Sequence, residues 1–118
     1  MTQSLALRTR TTAAGTVMEL AGELDHHTAP QVRDALLALD VRPGEQLVLD
    51  LAAITFCDSS GLSVLIVARN HALAADATIA LTTVPERVRR IIRIVGLDQV
   101  FPMYPTVQDA EDAWRSSK

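Results

Sequence analysis

The run Gln46-Leu47-Val48-Leu49-Asp50-Leu51 is apolar at both alternating positions and is interrupted only by Asp50, the pattern of a central strand covered on both faces. A strand buried on two sides needs helical layers around it, and the flanking segments supply helical patterns. The first starts at Thr28. Gln31 stands where it would return a capping-box hydrogen bond, Val32, Leu36 and Leu39 mark one face, and Pro43-Gly44 ends the segment. The second runs from Ser60 to about Ala75 and is followed by a strand, Thr78 to Thr82. The third opens near Pro85, places Val88, Ile91, Ile92 and Val95 at helical spacing, and stops at Gly96. A short strand near Val100 to Tyr104 comes next. Thr106 with Asp109 then starts a last helix whose stripe is Val107, Ala110 and Trp114. Upstream, Thr16 to Ala21 reads as a strand, with a weaker partner at Leu5 to Thr9 joined through Ala13-Ala14-Gly15. The expected fold is α/β: a mostly parallel sheet of four to five strands, an antiparallel N-terminal edge strand and about four helices, in one domain over residues 1–118.

This order has a consequence for function. A right-handed crossover makes strand 16–21 parallel to strand 46–51, so the loops leaving both lie on one rim. Gly22-Glu23-Leu24-Asp25-His26-His27 and Cys57-Asp58-Ser59-Ser60-Gly61 are therefore expected to be neighbours in space. The second loop places hydroxyls and a carboxylate where a helix begins, and free backbone N–H groups there favour anionic groups. The ordinary reading of Asp58, Ser59 or Ser60 at that point is an N-cap worth about 1 kcal/mol. Behind it, Leu62 to Ala68 is apolar almost all round, as in a helix squeezed among neighbours or one partly exposed for a partner.

Composition removes several function classes. The chain has 118 residues, 48% of them apolar, a net charge of −3 and only one Trp, one Tyr and two Phe, which offers neither a basic field nor stacking surfaces for nucleic acid. Met1 to Thr12 holds no apolar leader core, and Leu62 to Ala68 is far shorter than the roughly 20 residues that span a bilayer, so a soluble cytoplasmic protein with no membrane association is expected. The lone cysteine, Cys57, excludes an internal disulfide and reads as a small buried apolar side chain, although it would permit a redox dimer. Ser59, His26 and Asp25 supply the residue types of a hydrolytic triad, but there is no Gly-x-Ser-x-Gly elbow, and Asp25 and His26 are consecutive, which is awkward for a base aligned from behind. A metal site from Asp25, His26 and His27 is disfavoured in the same way, because adjacent side chains on extended backbone point apart and His71 falls on the second helix. No enzyme activity, metal or cofactor is expected. Arg87, Arg89, Arg90 and Arg93 give the third helix a basic side, either a solvated face or a patch for an acidic partner.

Gly22-Glu23-Leu24-Asp25 before the capped helix at Thr28, Asp50-Leu51 before the loop, and Asp58-Ser59-Ser60-Gly61-Leu62 resemble the bacterial anti-sigma factor antagonists, small single-domain members of the STAS family. The resemblance extends through Gly96-Leu97, nearly the whole chain. It implies a STAS fold and a non-enzymatic partner switch. In that family the serine directly after the aspartate is phosphorylated by an anti-sigma factor that is also a serine kinase, which falls on Ser59, and Asp25 corresponds to an acidic residue beside it. Asp25, Asp58, Ser60, Gly61 and Leu62 would form the partner-binding switch loop. Unphosphorylated, such a protein binds the anti-sigma factor and frees the sigma factor; phosphorylated, it lets go, and a PP2C-type serine phosphatase resets it. A monomer or weak homodimer is expected. Ser63 stands where many members have glycine. The alternative is a STAS scaffold or sensor module of a larger signalling assembly, less expected because scaffold versions usually carry an additional sensory domain.

Overall fold

A hairpin begins the sheet. In the computed structural model, which describes residues 5–117, strand β1 (Leu5–Thr11) pairs antiparallel with β2 (Gly15–Leu24). Thr12 and Gly15 close the connection by exchanging backbone hydrogen bonds of 2.7 and 3.2 Å. Gly15 is required there: its φ is +149°, and a Cβ would stand 2.4 Å from the Gln46 carbonyl oxygen. Helix α1 (Ala29–Leu37) carries the chain to β3 (Gln46–Cys57), α2 (Ser59–Ala74) to β4 (Thr78–Thr82), and α3 (Glu86–Ile94) with a 3₁₀ turn at Leu97–Gln99 to β5 (Met103–Tyr104). Helix α4 (Val107–Ser116) follows. The sheet order is β1-β2-β3-β4-β5, parallel from β2 onward, so the expected architecture is the observed one.

Alternation along the strands divides the interior in two. Met18, Leu20, Leu47, Leu49, Leu51 and Leu81 face Val32 and Leu36 of α1, Leu65 and Ala68 of α2, and Val88 and Ile92 of α3. Val17, Val48 and Ala80 point the other way, against Ala110 of α4. Gln46, buried at the start of β3, donates from Nε2 to the Ala110 carbonyl at 3.0 Å and fastens α4 to the sheet.

Four local expectations need correction. Strand β3 continues six residues beyond Leu51, because its pairing with β2 survives register shifts between Glu19 and Ala21 and between Gly22 and Glu23; the shifts break the alternation and leave both Ala52 and Ala53 exposed. Strand β5 is shorter than Val100 to Tyr104, since Gly96, at φ +81°, turns the chain into the 3₁₀ turn and Val100 and Phe101 both donate to the Leu97 carbonyl. Thr28 and Gln31 form no capping box: Gln31 reaches from Nε2 to the Leu5 carbonyl at 3.3 Å, tying α1 to the edge strand. On α3 the buried pair is Val88 and Ile92, whereas Val95, past the last turn, is 53% exposed.

Two adjacent residues of α2 test this orientation. Leu65 is fully buried and Ile66 is 37% exposed, so Leu65→Ala should cost about 2–5 kcal/mol in urea unfolding and Ile66→Ala about 1 kcal/mol or less.

Candidate functional site

The site lies where β2 and β3 end side by side. Leu24 pairs with Cys57, and the next amide, Asp58 N–H, donates to the Leu24 carbonyl at 3.2 Å, which binds the two exit loops together. The two loops are neighbours, as the crossover rule requires.

Of the three candidate caps, Asp58 takes the role. Its backbone is extended (φ −107°, ψ −168°), and Oδ1 accepts from Ser60 N–H at 2.9 Å and Gly61 N–H at 3.1 Å. Neither serine hydroxyl is spent on capping. Ser59 is the first residue of the 16-residue helix and is exposed; Ser60 is half-buried. The Ser63 hydroxyl, one turn on, donates to the Ser59 carbonyl at 3.0 Å, leaving the Ser59 side chain on the outside of the turn.

Gly61 permits this arrangement. A Cβ at that position would stand 2.7 Å from the Leu24 carbonyl oxygen, 2.7 Å from Cys57 Sγ and 2.9 Å from Leu24 Cγ, so the helix start rests directly on the end of β2. Leu62, 8% exposed, then anchors the first turn in the core. The loop is rigid by packing as well as by capping.

Asp25 is only 2% exposed, and its carboxyl group is enclosed by the loop. Oδ1 accepts from His27 N–H at 2.9 Å and Thr28 N–H at 3.1 Å, while Thr28 Oγ1 accepts from Asp25 N–H at 3.0 Å and donates to the Glu23 carbonyl at 2.7 Å. This reciprocal brace replaces the capping box and fixes the β2–α1 loop. Oδ2 is buried with no hydrogen-bond partner among the described residues. The exposed faces of that loop are His26 and His27, whose rings lie 3.9 Å apart.

Between α1 and α2 runs a groove of about 280 Å³, lined by His26, Pro30 and Arg33 on one side and Ser60, Ser63, Val64 and Val67 on the other. Phe56, 42% exposed, stands beside the loop. Sequence reading left Arg33 and Val67 out of the site, Arg33 because nothing local distinguishes it from a solvated helix position. His71 lies apart, hydrogen-bonded through Nε2 to the Leu39 carbonyl at 3.1 Å. Among the described residues no group of three or more His, Cys, Asp or Glu side chains is arranged to hold a metal ion, and no helix is long and apolar enough to cross a membrane.

Cys57 is buried beneath the loop, and desolvation, helped by the neighbouring Asp58 charge, pushes its thiol up to about 11. The thiol stays protonated at neutral pH and is shielded from oxidants.

An exposed serine thus opens helix α2 at a rim formed by two braced loops. Residues 5–110 match the STAS domain model, and the chain belongs to the STAS domain family. It is 35% identical over 89 residues to an anti-sigma F factor antagonist of Paenibacillus polymyxa, covering 75% of this chain and 76% of that one. Its fold superposes on an anti-sigma factor antagonist from Mycobacterium paratuberculosis with a TM-score of 0.83 at 33% identity, covering 95% of each chain. The phosphorylated form of the Bacillus cell fate determinant SpoIIAA shares the fold, with a TM-score of 0.67 at 23% identity over 92% of this chain and 98% of that one.

Two measurements probe this geometry. Gly61→Ala should lower unfolding stability by about 1–3 kcal/mol, because the obstructing atom is a backbone carbonyl that cannot rotate away. Because the folded-state pKa of Cys57 is raised from 9.0 to about 11, its contribution to stability is fully present below pH 9 and is lost as pH rises through 11. An alkaline decline on the order of 2–3 kcal/mol should appear between those values in denaturation curves, and Cys57→Ala should remove that component.

Proposed function

We propose that this protein is an anti-sigma factor antagonist switched at Ser59: unphosphorylated, it binds a cognate anti-sigma factor with serine kinase activity and so releases a sigma factor. Phosphorylation of Ser59 by that partner abolishes binding, and a PP2C-type phosphatase restores it. The observation that carries the reading is the exposure of Ser59 on a helix start already capped by Asp58 and seated on Leu24, so that a phosphate can be added without disturbing the fold. Similarity to anti-sigma factor antagonists supports the choice of partner.

The energetics separate fold from interface. A phosphate brings about −1.5 to −2 charges, and the positive end of α2 favours an anion by roughly 0.3–1 kcal/mol, so the domain accepts the group. In a complex, a partner carboxylate about 5 Å away would be repelled by about 3 kcal/mol per unit charge at an effective dielectric of about 20. Desolvation and crowding add to that, and each 1.4 kcal/mol is about tenfold in affinity. The phosphate therefore weakens binding by at least about 100-fold while leaving the domain folded. Asp58, Ser60, Gly61 and Leu62 shape the docking edge, and Asp25 holds the adjoining loop in place. Phosphoryl-transfer chemistry comes from the kinase partner, since the chain has no Gly-rich phosphate loop with its lysine.

Incubation with the candidate kinase and ATP, followed by mass-spectrometric mapping, should place one phosphate on Ser59. In calorimetric titration of the anti-sigma factor, Ser59→Ala should bind like the unmodified protein and Ser59→Asp should bind at least about tenfold more weakly. Equal affinities for the two variants would contradict the switch.

A further inference from the structure

The outer face of α3 carries charge that the rim does not use. Arg87, Arg89, Arg90 and Arg93 are all exposed, although the whole chain carries a net charge of −3. Arg89 is bonded to Glu86, whose carboxyl its guanidinium holds below the ordinary carboxylate range. Among the described residues no ion pair engages Arg87, Arg90 or Arg93. Because Val88 and Ile92 are buried, the turn of 100° per residue points Arg90 outward, sets Ile94 beside it one turn on, and places Arg87 and Arg93 to either side. Ile94 is 75% exposed, and Val95 and Val100, 53% and 37% exposed, lie at the turn that follows.

A single exposed apolar side chain needs no explanation. An isoleucine one turn on from Arg90 and next to Arg93, two guanidiniums that feel the field of Glu86 but form no ion pair among the described residues, is different, because arginine beside an apolar anchor is the composition of an interface centre. We propose that this face is a second docking surface, which takes an acidic amphipathic helix of a partner protein. Carboxylates of that helix meet Arg87, Arg90 and Arg93, each able to engage one bidentately, and its apolar stripe covers Ile94 and Val95. The charge complementarity is specific to protein. Nucleic acid would satisfy the arginines but leave Ile94 uncovered, and an anionic bilayer would press its headgroups on Glu86 and Asp98. Helix α3 leaves the rim at its N-terminus and rises 1.5 Å per residue, so Ile94 lies about 12 Å from that end. Docking here is independent of Ser59, and its failure would leave the phosphoswitch untouched.

The test uses the full ¹⁵N-labelled chain and a synthetic helical peptide with leucines at i, i+4 and i+7 flanked by glutamates. A peptide of identical composition with the leucines dispersed around the helix serves as control. The patterned peptide should shift amides between Glu86 and Val100 and leave Asp58 to Ser63 unmoved. Arg90→Glu and Ile94→Ser should each weaken binding by about tenfold. Arg87→Glu gives the same reading if Arg90→Glu lowers the melting temperature. The proposal is overturned if neither peptide binds, if the control binds equally well, or if Ile94→Ser changes nothing. Tighter binding at the same amides by phosphatidylglycerol vesicles or a DNA duplex would also overturn it.

Discussion

The contact between Gly61 and the Leu24 carbonyl sets the geometry on which the site depends. With no side chain at 61, the first turn of α2 descends onto the end of β2, and the Asp58 amide completes the junction with a hydrogen bond to the same carbonyl. Strand pairing alone would bring the two loops near each other; the glycine locks them at contact distance. Asp58 then spends its carboxylate on the helix N–H groups, Asp25 spends one oxygen on the neighbouring loop, and the serine between them is left facing water.

This division of labour explains how a fold with a dense interior can carry a responsive surface. Leu62 and Leu65 belong to the core, while Ser59, Ser63 and Ile66 lie on the outer side of the same helix. Interiors packed to crystal-like density resist small displacements, so a group added at Ser59 has little leverage on the sheet. Its influence falls on whatever approaches from outside. The enclosed carboxyl of Asp25 fits this logic: it braces the platform, and in the proposed switch the electrostatic contrast would come from a phosphate on Ser59.

Much of this was legible in the sequence, for identifiable reasons. The alternation of strand and helix patterns is a property of side-chain periodicity, and the parallel crossover forces the two loops onto one rim, so the juxtaposition of Leu24-Asp25 with Asp58-Ser59 followed from order alone. What escaped reading depended on non-local contacts. Gln31 had the spacing of a capping partner, yet the Leu5 carbonyl of the edge strand competes for its amide. The register shifts that leave both Ala52 and Ala53 exposed belong to pairing between distant segments, which also bonds the Thr55 hydroxyl to the Gly22 carbonyl 33 positions away. The role of Gly61 is steric, and steric need is visible only once the neighbour is known.

The central claim is that phosphate at Ser59 alters an interface and not a fold. Amide spectra of the chain before and after stoichiometric phosphorylation test it most directly. The account predicts shifts confined to the Asp58–Ser63 turn and the facing Leu24–Thr28 loop, with the core amides of β3 and α2 unmoved and the melting temperature preserved. Shifts spread through Leu65, Ala68 and the β3 core, or loss of the folded spectrum, would contradict it.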